Sequence, residues 1–153
     1  MTTKSHTLKV GVSGVRGVVG EGLTPQLAAP SSVDKVSAVD DFLGTPVDQG
    51  YIGSCTGGRT PDLAEAAAIL RGKHIAPGTR LVVAPASQAV FLECLALGYI
   101  KDLVEAGATL VSTGCAACIG THQGVITAGE VCVSSTNRNF PGRMGHKDGR
   151  IFL

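Results

Sequence analysis

The chain has 153 residues, with 13 lysines and arginines against 12 aspartates and glutamates. This length suits one domain that buries about two-thirds of its unfolded surface, and the balanced charge excludes a broad electrostatic surface for nucleic acid or membranes. No apolar run approaches the roughly 18 residues that span a bilayer, and residues 1–10 lack the apolar core of a signal peptide. Many glycines (21) and no tryptophan favour tight turns and a close-packed sheet over an aromatic-walled pocket. We therefore expect a cytoplasmic α/β protein.

The N-terminal stretch predicts one strand and a glycine-rich loop. Residues 7–12 alternate apolar with polar side chains, and glycine recurs at every third position of residues 14–20. The backbone amides of such a loop can bind phosphate with help from Arg16, although a plain connecting turn is the alternative. Residues 7–29 resemble the opening strand and loop of the phosphohexomutases (phosphoglucomutase and phosphomannomutase), but no later motif does. We expect residues 1–29 to be an appended segment whose strand covers a sheet edge.

The remaining residues, 30–153, predict one α/β domain of alternating strands and helices. Strands are predicted at residues 47–52, 80–85, 108–112 and 130–134, and helices at residues 61–70, 87–97 and 100–106. Thr60 is expected to cap the first helix, with Pro61 at its first position. This alternation predicts βαβ units, a mainly parallel sheet and a three-layer α/β/α fold. Because the apolar run at residues 151–153 stops abruptly, we expect the domain to be truncated at its C-terminus.

Three cysteines follow predicted strands and are candidate metal ligands. Cys115 and Cys118 form a C-x-x-C motif, and Cys55 stands after the first strand. Loops at the carboxyl ends of parallel strands meet in one crevice, so the three thiolates can meet there. Three thiolates without a fourth indicate an open site. C-x-x-C also fits a redox pair or a zinc knuckle, and His122 could complete a closed Cys₃His zinc site.

The other two cysteines and two histidines predict no chemistry. Cys94 lies in an apolar helical pattern and Cys132 between two valines, so both are interpreted as small buried hydrophobic residues. An odd total of five cysteines favours a reduced compartment over a disulfide framework. His74 and His146 are predicted to be exposed loop residues.

A third motif, S-S-T-N-R-N-F-P-G-R, follows the strand at residues 130–134. It places Arg138 and Arg143 five residues apart in one loop. A guanidinium can bind a carboxylate through two parallel hydrogen bonds, so the pair suits an acidic substrate. The alternative is a solvated basic loop.

In this order, G-S-C-T-x-x-R, G-C-x-x-C-x-G and S-x-N-R-N-F-x-G-R resemble the iron–sulfur domain of the aconitase-type dehydratases, closest to the large subunit of 3-isopropylmalate dehydratase. The resemblance covers residues 30–153. It implies that Cys55, Cys115 and Cys118 hold a [4Fe–4S] cluster whose fourth iron has no protein ligand. One departure is Gly57, where the family often has asparagine.

By the same resemblance, Asn137, Arg138 and Arg143 line the cluster and bind substrate carboxylate. The implied enzyme is a hydro-lyase that isomerises a hydroxy di- or tricarboxylic acid by dehydration and rehydration. The resemblance implies a role in leucine biosynthesis. Such enzymes also need a serine base and arginines from a further domain or a small subunit. Nothing in this chain matches those parts, so we expect the chain alone to be inactive. The alternatives are a zinc-binding or structural α/β domain, and a phosphate-binding module.

Overall fold

A computed structural model describes residues 9–11, 14–16, 26–28 and 36–153. The strands are β1 (Lys9–Gly11), β2 (Gly14–Arg16), β3 (Gln26–Ala28), β4 (Val36–Ala38), β5 (Gln49–Gly53), β6 (Arg80–Ala84), β7 (Thr109–Leu110), β8 (Val131–Ser134) and β9 (Arg150–Phe152). The α-helices are α1 (Ser54–Gly57), α2 (Thr60–Leu70), α3 (Gln88–Ala96) and α4 (Tyr99–Glu105). Short 3-10 helices span Val39–Phe42 and Ala116–Ile119.

Strands β5 to β9 form one parallel sheet in the order β7-β6-β5-β8-β9. The chain builds outward from central β5 through β6 to β7, and then returns to the opposite side of β5 for β8 and β9. Strand order therefore reverses between β5 and β8, the position where open α/β sheets bind ligands at the carboxyl ends of their strands. The predicted α/β class and parallel sheet are confirmed.

Helices α2, α3 and α4 pack together against one face of the sheet. Successive residues of β6 point to opposite faces, so Val83 packs under the helices with Leu63 and Leu103, while Val82 packs on the other face. Each of these four side chains is at most 4% exposed. Among the described residues, none of the helices has both the length and the apolar character needed to cross a membrane.

The caps of α2 and α3 show how local sequence sets the helix ends. The Ser87 hydroxyl accepts the Val90 N–H at 3.3 Å and caps α3. Helix α2 is capped by Arg59 and not by the predicted Thr60, because the Asp62 carboxylate accepts the Arg59 N–H at 3.0 Å. The helix therefore begins one residue earlier than predicted, at Thr60.

The second face of the sheet is covered by a 3-10 helix and irregular chain. Tyr51 and Val82 of the sheet pack there against Cys118, Ile126 and Met144, all almost fully buried. The predicted three layers are therefore present, and in the described chain the third layer lacks a regular α-helix. Strand β7 is also shorter than predicted, because only Thr109 and Leu110 pair with β6.

The N-terminal strands form two antiparallel hairpins outside the main sheet. Strand β1 pairs with β2, with Val10 opposite Val15, and β3 pairs with β4, with Leu27 opposite Ser37. The predicted strand at residues 7–12 is confirmed for Lys9–Gly11, but part of the predicted loop is itself a strand, Gly14–Arg16. The expectation that the first strand covers an edge of the main sheet is wrong for the described residues. Residues 17–20 of the predicted phosphate loop lie outside the described residues.

Candidate metal centre

The first candidate ligand lies in the single-cysteine turn, residues 53–58, directly after β5. Its Cys55 is exposed in the one-turn helix α1, and its carbonyl accepts the Nε–H of Arg59 at 3.0 Å. Ser54 is 1% exposed and has φ +62°, in the left-handed region that non-glycine residues avoid. The turn therefore presents its cysteine to solvent on a strained, anchored backbone.

The C-x-x-C loop, residues 114–120, follows β7 and carries the other two candidate ligands. Cys115 is exposed and Cys118 is buried, and the Cys118 N–H donates to the Cys115 carbonyl at 3.0 Å. Ala116 has φ +44°, and Gly120 ends the loop with φ +75°. The described non-glycine residues with positive φ are Ser54, Ala116 and His122, each within four positions of a candidate cysteine. Such strain concentrates at functional sites.

The arginine loop, residues 135–143, follows β8. Its Asn137 is half-buried and its Arg138 is exposed. The Arg143 guanidinium lies 5.5 Å from the centre of the Phe140 ring, which orients it by a cation–π contact. Its Nε is buried and, over the residues that the structure describes, makes no hydrogen bond. Within the described part of the chain, the loop therefore presents the exposed guanidinium of Arg138 to solvent and holds that of Arg143 in place with an unused donor.

The two cysteine-bearing segments are both hydrogen-bonded to consecutive residues after β6. The Pro85 carbonyl accepts the Gly114 N–H at 3.0 Å, and the Ala86 N–H donates to the Gly58 carbonyl at 2.9 Å. Since Gly114 begins the C-x-x-C loop and Gly58 ends the single-cysteine turn, the two backbones meet at the carboxyl edge of the sheet. This is the convergence that parallel topology predicts.

Tyr51 joins the C-x-x-C loop to the arginine loop. Its phenol donates to the Cys115 carbonyl at 3.0 Å, and its backbone carbonyl accepts the Ser135 N–H at 2.9 Å. Burial, and next the nearby Cys118 thiol, raise the pKa of the phenol well above its usual range. The phenol therefore stays protonated and remains a donor. Sequence reasoning missed Tyr51; its only sequence signal is a hydroxyl in an apolar strand.

The three thiols are not drawn into one ligand set in the structure. No three His, Cys, Asp or Glu side chains in the described chain converge closely enough to hold a metal ion. His122, the candidate fourth ligand for zinc, is exposed with φ +71°. The structure thus brings the backbones of the predicted ligands together without closing a site, for zinc or for a cluster.

The other predicted side chains lie as expected. Cys94 and Cys132 are fully buried, and burial raises the pKa of the Cys132 thiol to about 11. His74 and His146 are exposed.

Buried donors without partners test whether this edge suits an anionic group. Ser54 Oγ, Thr56 Oγ1 and Arg143 Nε are buried and make no hydrogen bond with the described residues. Two of them flank Cys55 in sequence, and the third lies in the arginine loop. All three can donate, and a buried donor without a partner costs roughly 1–3 kcal/mol. The soft thiol set together with these unused donors fits a bound anionic cluster or carboxylate.

Comparison with known proteins identifies the family. The sequence model of the aconitase family (aconitate hydratase) matches residues 5–153. The chain belongs to the aconitase family. It is 53% identical over 131 residues to 3-isopropylmalate dehydratase large subunit 1 of Deinococcus radiodurans, covering 86% of this chain and 30% of that protein. It is 50% identical over 131 residues to the homoaconitase large subunit of Thermus thermophilus, covering 86% of this chain and 31% of that protein.

A third relative is 3-isopropylmalate dehydratase large subunit 2 of Archaeoglobus fulgidus, 48% identical over 131 residues, which are 86% of this chain and 32% of that protein. The chain thus spans about a third of the length of the relatives it matches. The family match reaches back to residue 5 and so includes part of the predicted N-terminal segment.

Proposed function

We propose that this chain is the cluster-binding and carboxylate-binding part of a hydro-lyase that isomerises a hydroxy di- or tricarboxylic acid, of the 3-isopropylmalate dehydratase type. The observation that carries the proposal is the attachment of the single-cysteine turn and the C-x-x-C loop to Pro85 and Ala86. It brings both cysteine-bearing backbones to the carboxyl edge of one sheet. Family membership and the names of the relatives support the same reaction class.

Cys55, Cys115 and Cys118 would hold a [4Fe–4S] cluster. When bound, such a cluster with one iron free of protein ligands acts as a Lewis acid toward substrate oxygen. Cys55 and Cys115 are already exposed, whereas Cys118 is buried against the sheet. A small rearrangement of the C-x-x-C loop is therefore needed to turn the third thiolate toward the other two.

Arg138, Arg143 and Asn137 would bind the substrate. The exposed Arg138 guanidinium is free to meet an incoming carboxylate, and Arg143 has a buried Nε–H still to be used. Together they can hold a carboxylate through paired charge-assisted hydrogen bonds, and the half-buried amide of Asn137 can donate or accept beside them. Two guanidiniums on one loop suit a substrate with more than one carboxylate.

The reaction also needs a positioned proton acceptor, which we assign to chain outside these residues. The relatives are named large subunits, and this chain spans about a third of each, so the missing parts would be further domains and a small subunit. Purified and reconstituted, this chain alone should not turn over 3-isopropylmalate. Turnover by the isolated chain would contradict the assignment.

Anaerobic reconstitution with iron and sulfide tests the ligand set. The wild-type chain should gain broad visible absorbance, with about four irons and four sulfides per chain as a [4Fe–4S] cluster requires. Cys55→Ser should abolish it, whereas Cys94→Ser, at a fully buried helix position, should retain it. Equal loss in both variants, or in neither, would refute the assignment of ligands. Zinc bound in place of iron and sulfide would support the closed-site alternative.

The division at residue 30 stays a prediction. The proposed boundary falls between β3 and β4, which pair with each other, and the family match begins at residue 5. Deleting residues 1–29 should lower the melting temperature while leaving cysteine-dependent cluster formation intact in the folded protein. Loss of cluster formation by a folded deletion variant would show that residues 1–29 belong to the cluster-binding unit.

Five unpaired cysteines also suit the reduced cytoplasm, where we place the protein.

A further inference from the structure

Ser135 makes three hydrogen bonds, and two of them hold the single-cysteine turn from both sides of Cys55. Its hydroxyl accepts the Gly53 N–H at 3.0 Å and donates to the Gly57 carbonyl at 3.2 Å. Its own N–H donates to the Tyr51 carbonyl at 2.9 Å, which fixes it as a continuation of β8 beside β5. Cys55 lies midway between Gly53 and Gly57. One side chain from a neighbouring strand thus ties down both ends of the segment that presents this thiol.

Gly57 leaves the space in which Ser135 sits. A Cβ added at Gly57 would lie 2.7 Å from the Ser135 Cβ and closer still to the Ser135 hydroxyl and carbonyl oxygens. Real Cβ atoms essentially never come within 3.0 Å of another heavy atom, so a side chain at position 57 requires Ser135 or the turn itself to shift. The φ of Gly57 is not in the left-handed region. In this chain the glycine therefore permits the close packing of Ser135, and its backbone conformation does not require a glycine.

We infer that Ser135 is a positioning residue for Cys55, and that residues 57 and 135 act as one coupled pair that sets the distance between the single-cysteine turn and the arginine loop. The inference rests on the proposed function only in taking Cys55 as a ligand. Because Ser135 is also the first residue of the arginine loop, its displacement moves Asn137 and Arg138 relative to Cys55. The pair thus controls the spacing between a cluster ligand and the residues proposed to bind substrate.

Amide hydrogen exchange of the metal-free full chain tests this directly. In Ser135→Ala the Gly53 amide loses its acceptor, and its exchange should become about fivefold faster, the effect of losing one ordinary hydrogen bond. Ser135→Thr keeps the hydroxyl and should exchange at the wild-type rate. The matched control is Ser134→Ala, which removes a hydroxyl bonded to Thr136 and should leave Gly53 unchanged.

Coupling is tested by a double-mutant cycle at positions 57 and 135. Gly57→Ala should speed exchange at Gly53 as much as Ser135→Ala does, because the added methyl group displaces the hydroxyl. The double variant should be no faster than Gly57→Ala alone. Additive effects, or an unchanged Gly53 rate in a folded Ser135→Ala variant, would overturn the inference. If Ser135→Ala fails to fold, Ser135→Cys or Ser135→Gly replaces it. The exchange rate of the Gly53 amide is then judged in the same way.

A second measurement separates positioning from general stability. Alkylation of Cys55 by a maleimide, mapped by peptide mass spectrometry, should change at least twofold in Ser135→Ala, whereas Cys115 should react at its wild-type rate. Equal changes at both cysteines would indicate general loosening and refute a specific role. Neither measurement needs a bound cluster. If reconstitution fails while these rates behave as expected, the positioning role stands and the proposed function does not.

Discussion

The phenol of Tyr51 donates a hydrogen bond of 3.0 Å to the backbone carbonyl of Cys115. Strand β5 therefore holds the C-x-x-C loop at its exposed cysteine. Tyr51 is 1% exposed, and both burial and neighbouring thiols keep it protonated. The contact joins the central strand to a loop that follows the edge strand β7. It fixes one candidate ligand while leaving its thiol in solvent.

Tyr51→Phe should therefore loosen the C-x-x-C loop selectively. Removing one hydrogen bond should lower the free energy of unfolding by about 1 kcal/mol, measured by urea denaturation. Cys115 should be alkylated faster, and Cys55 should not. The chain's other tyrosine provides the control: Tyr99→Phe, at a half-buried helix position, should leave both alkylation rates unchanged. A wild-type Cys115 rate in Tyr51→Phe would show that the bond does not restrain the loop.

Native thiol titration should separate the five cysteines into two groups. Cys55 and Cys115 are exposed and should react rapidly with Ellman's reagent at pH 8, giving two fast equivalents per chain. Cys94, Cys118 and Cys132 are buried and should react only as the structure opens. Burial also raises the pKa of Cys132 to about 11, so almost none of it is thiolate at that pH. In denaturant all five cysteines should react rapidly. In the native protein, a third rapid equivalent that maps to Cys118 would contradict its buried position.

Gly120→Ala should destabilise the protein more than Gly72→Ala. Both glycines have similar positive φ, +75° and +71°, so each substitution costs roughly 1–2 kcal/mol for the left-handed backbone. A Cβ at position 120 would also lie 2.9 Å from the Arg143 carbonyl oxygen, whereas none of the described atoms lies within 4 Å at position 72. Urea denaturation should show at least about 1 kcal/mol of extra loss for Gly120→Ala. Equal losses would mean that the C-x-x-C loop does not pack on Arg143.

Glu130 should contribute stability that disappears in acid. Its carboxylate accepts the Thr127 N–H at 2.7 Å and pairs with Arg80 at 2.9 Å, and these contacts, the backbone one first, lower its pKa below the ordinary value. A lowered carboxyl pKa stabilises the fold at pH values above the pKa of the unfolded state, which is roughly 4.3. That contribution is lost as the pH falls through the pKa of the folded state.

Glu130→Gln should accordingly cost about 0.5–1 kcal/mol at pH 7, a small value because the pair is partly exposed. The difference from wild type should shrink toward zero as the pH is lowered to 3. Urea denaturation at both pH values measures it. Glu65→Gln, at an exposed position of α2, is the control and should show little difference at either pH. A constant difference across the range would assign the effect to packing and not to charge.

Short-range patterns in the sequence predict the strands, the helices and the places where the motifs stand. The apolar run of β6 and the alternation of strands with helices are enough to predict a parallel sheet and to place Cys55 and Cys115 after strands. The cap of α2 was displaced by one residue because Asp62 bonds the Arg59 amide, a choice between two adjacent caps that sequence leaves open. Strand β2 was missed because its flanking glycines favour a loop.

The contacts that organise the candidate centre could not be predicted from sequence. The bonds from Tyr51 to Cys115 and from Ser135 to Gly53 join residues 64 and 82 positions apart, and neither has a local pattern. The irregular layer over the second face also has no periodicity, although it buries Ile126 and Met144. Such contacts depend on how the strands are ordered in space, and several orders satisfy the same alternation of elements.

Central strand β5 has its two sheet neighbours at very different distances along the chain. Gln49 pairs with Arg80 on one side and with Cys132, 83 residues away, on the other. At a synthesis rate of roughly 5–20 residues per second, β5 emerges from the ribosome several seconds before β8 exists. During that interval one side of the central strand presents unpaired backbone groups, the arrangement that promotes aggregation between chains. Completion of this fold therefore waits on a late, long-range pairing, and its yield in cells depends on protection of β5 until residues 131–134 arrive.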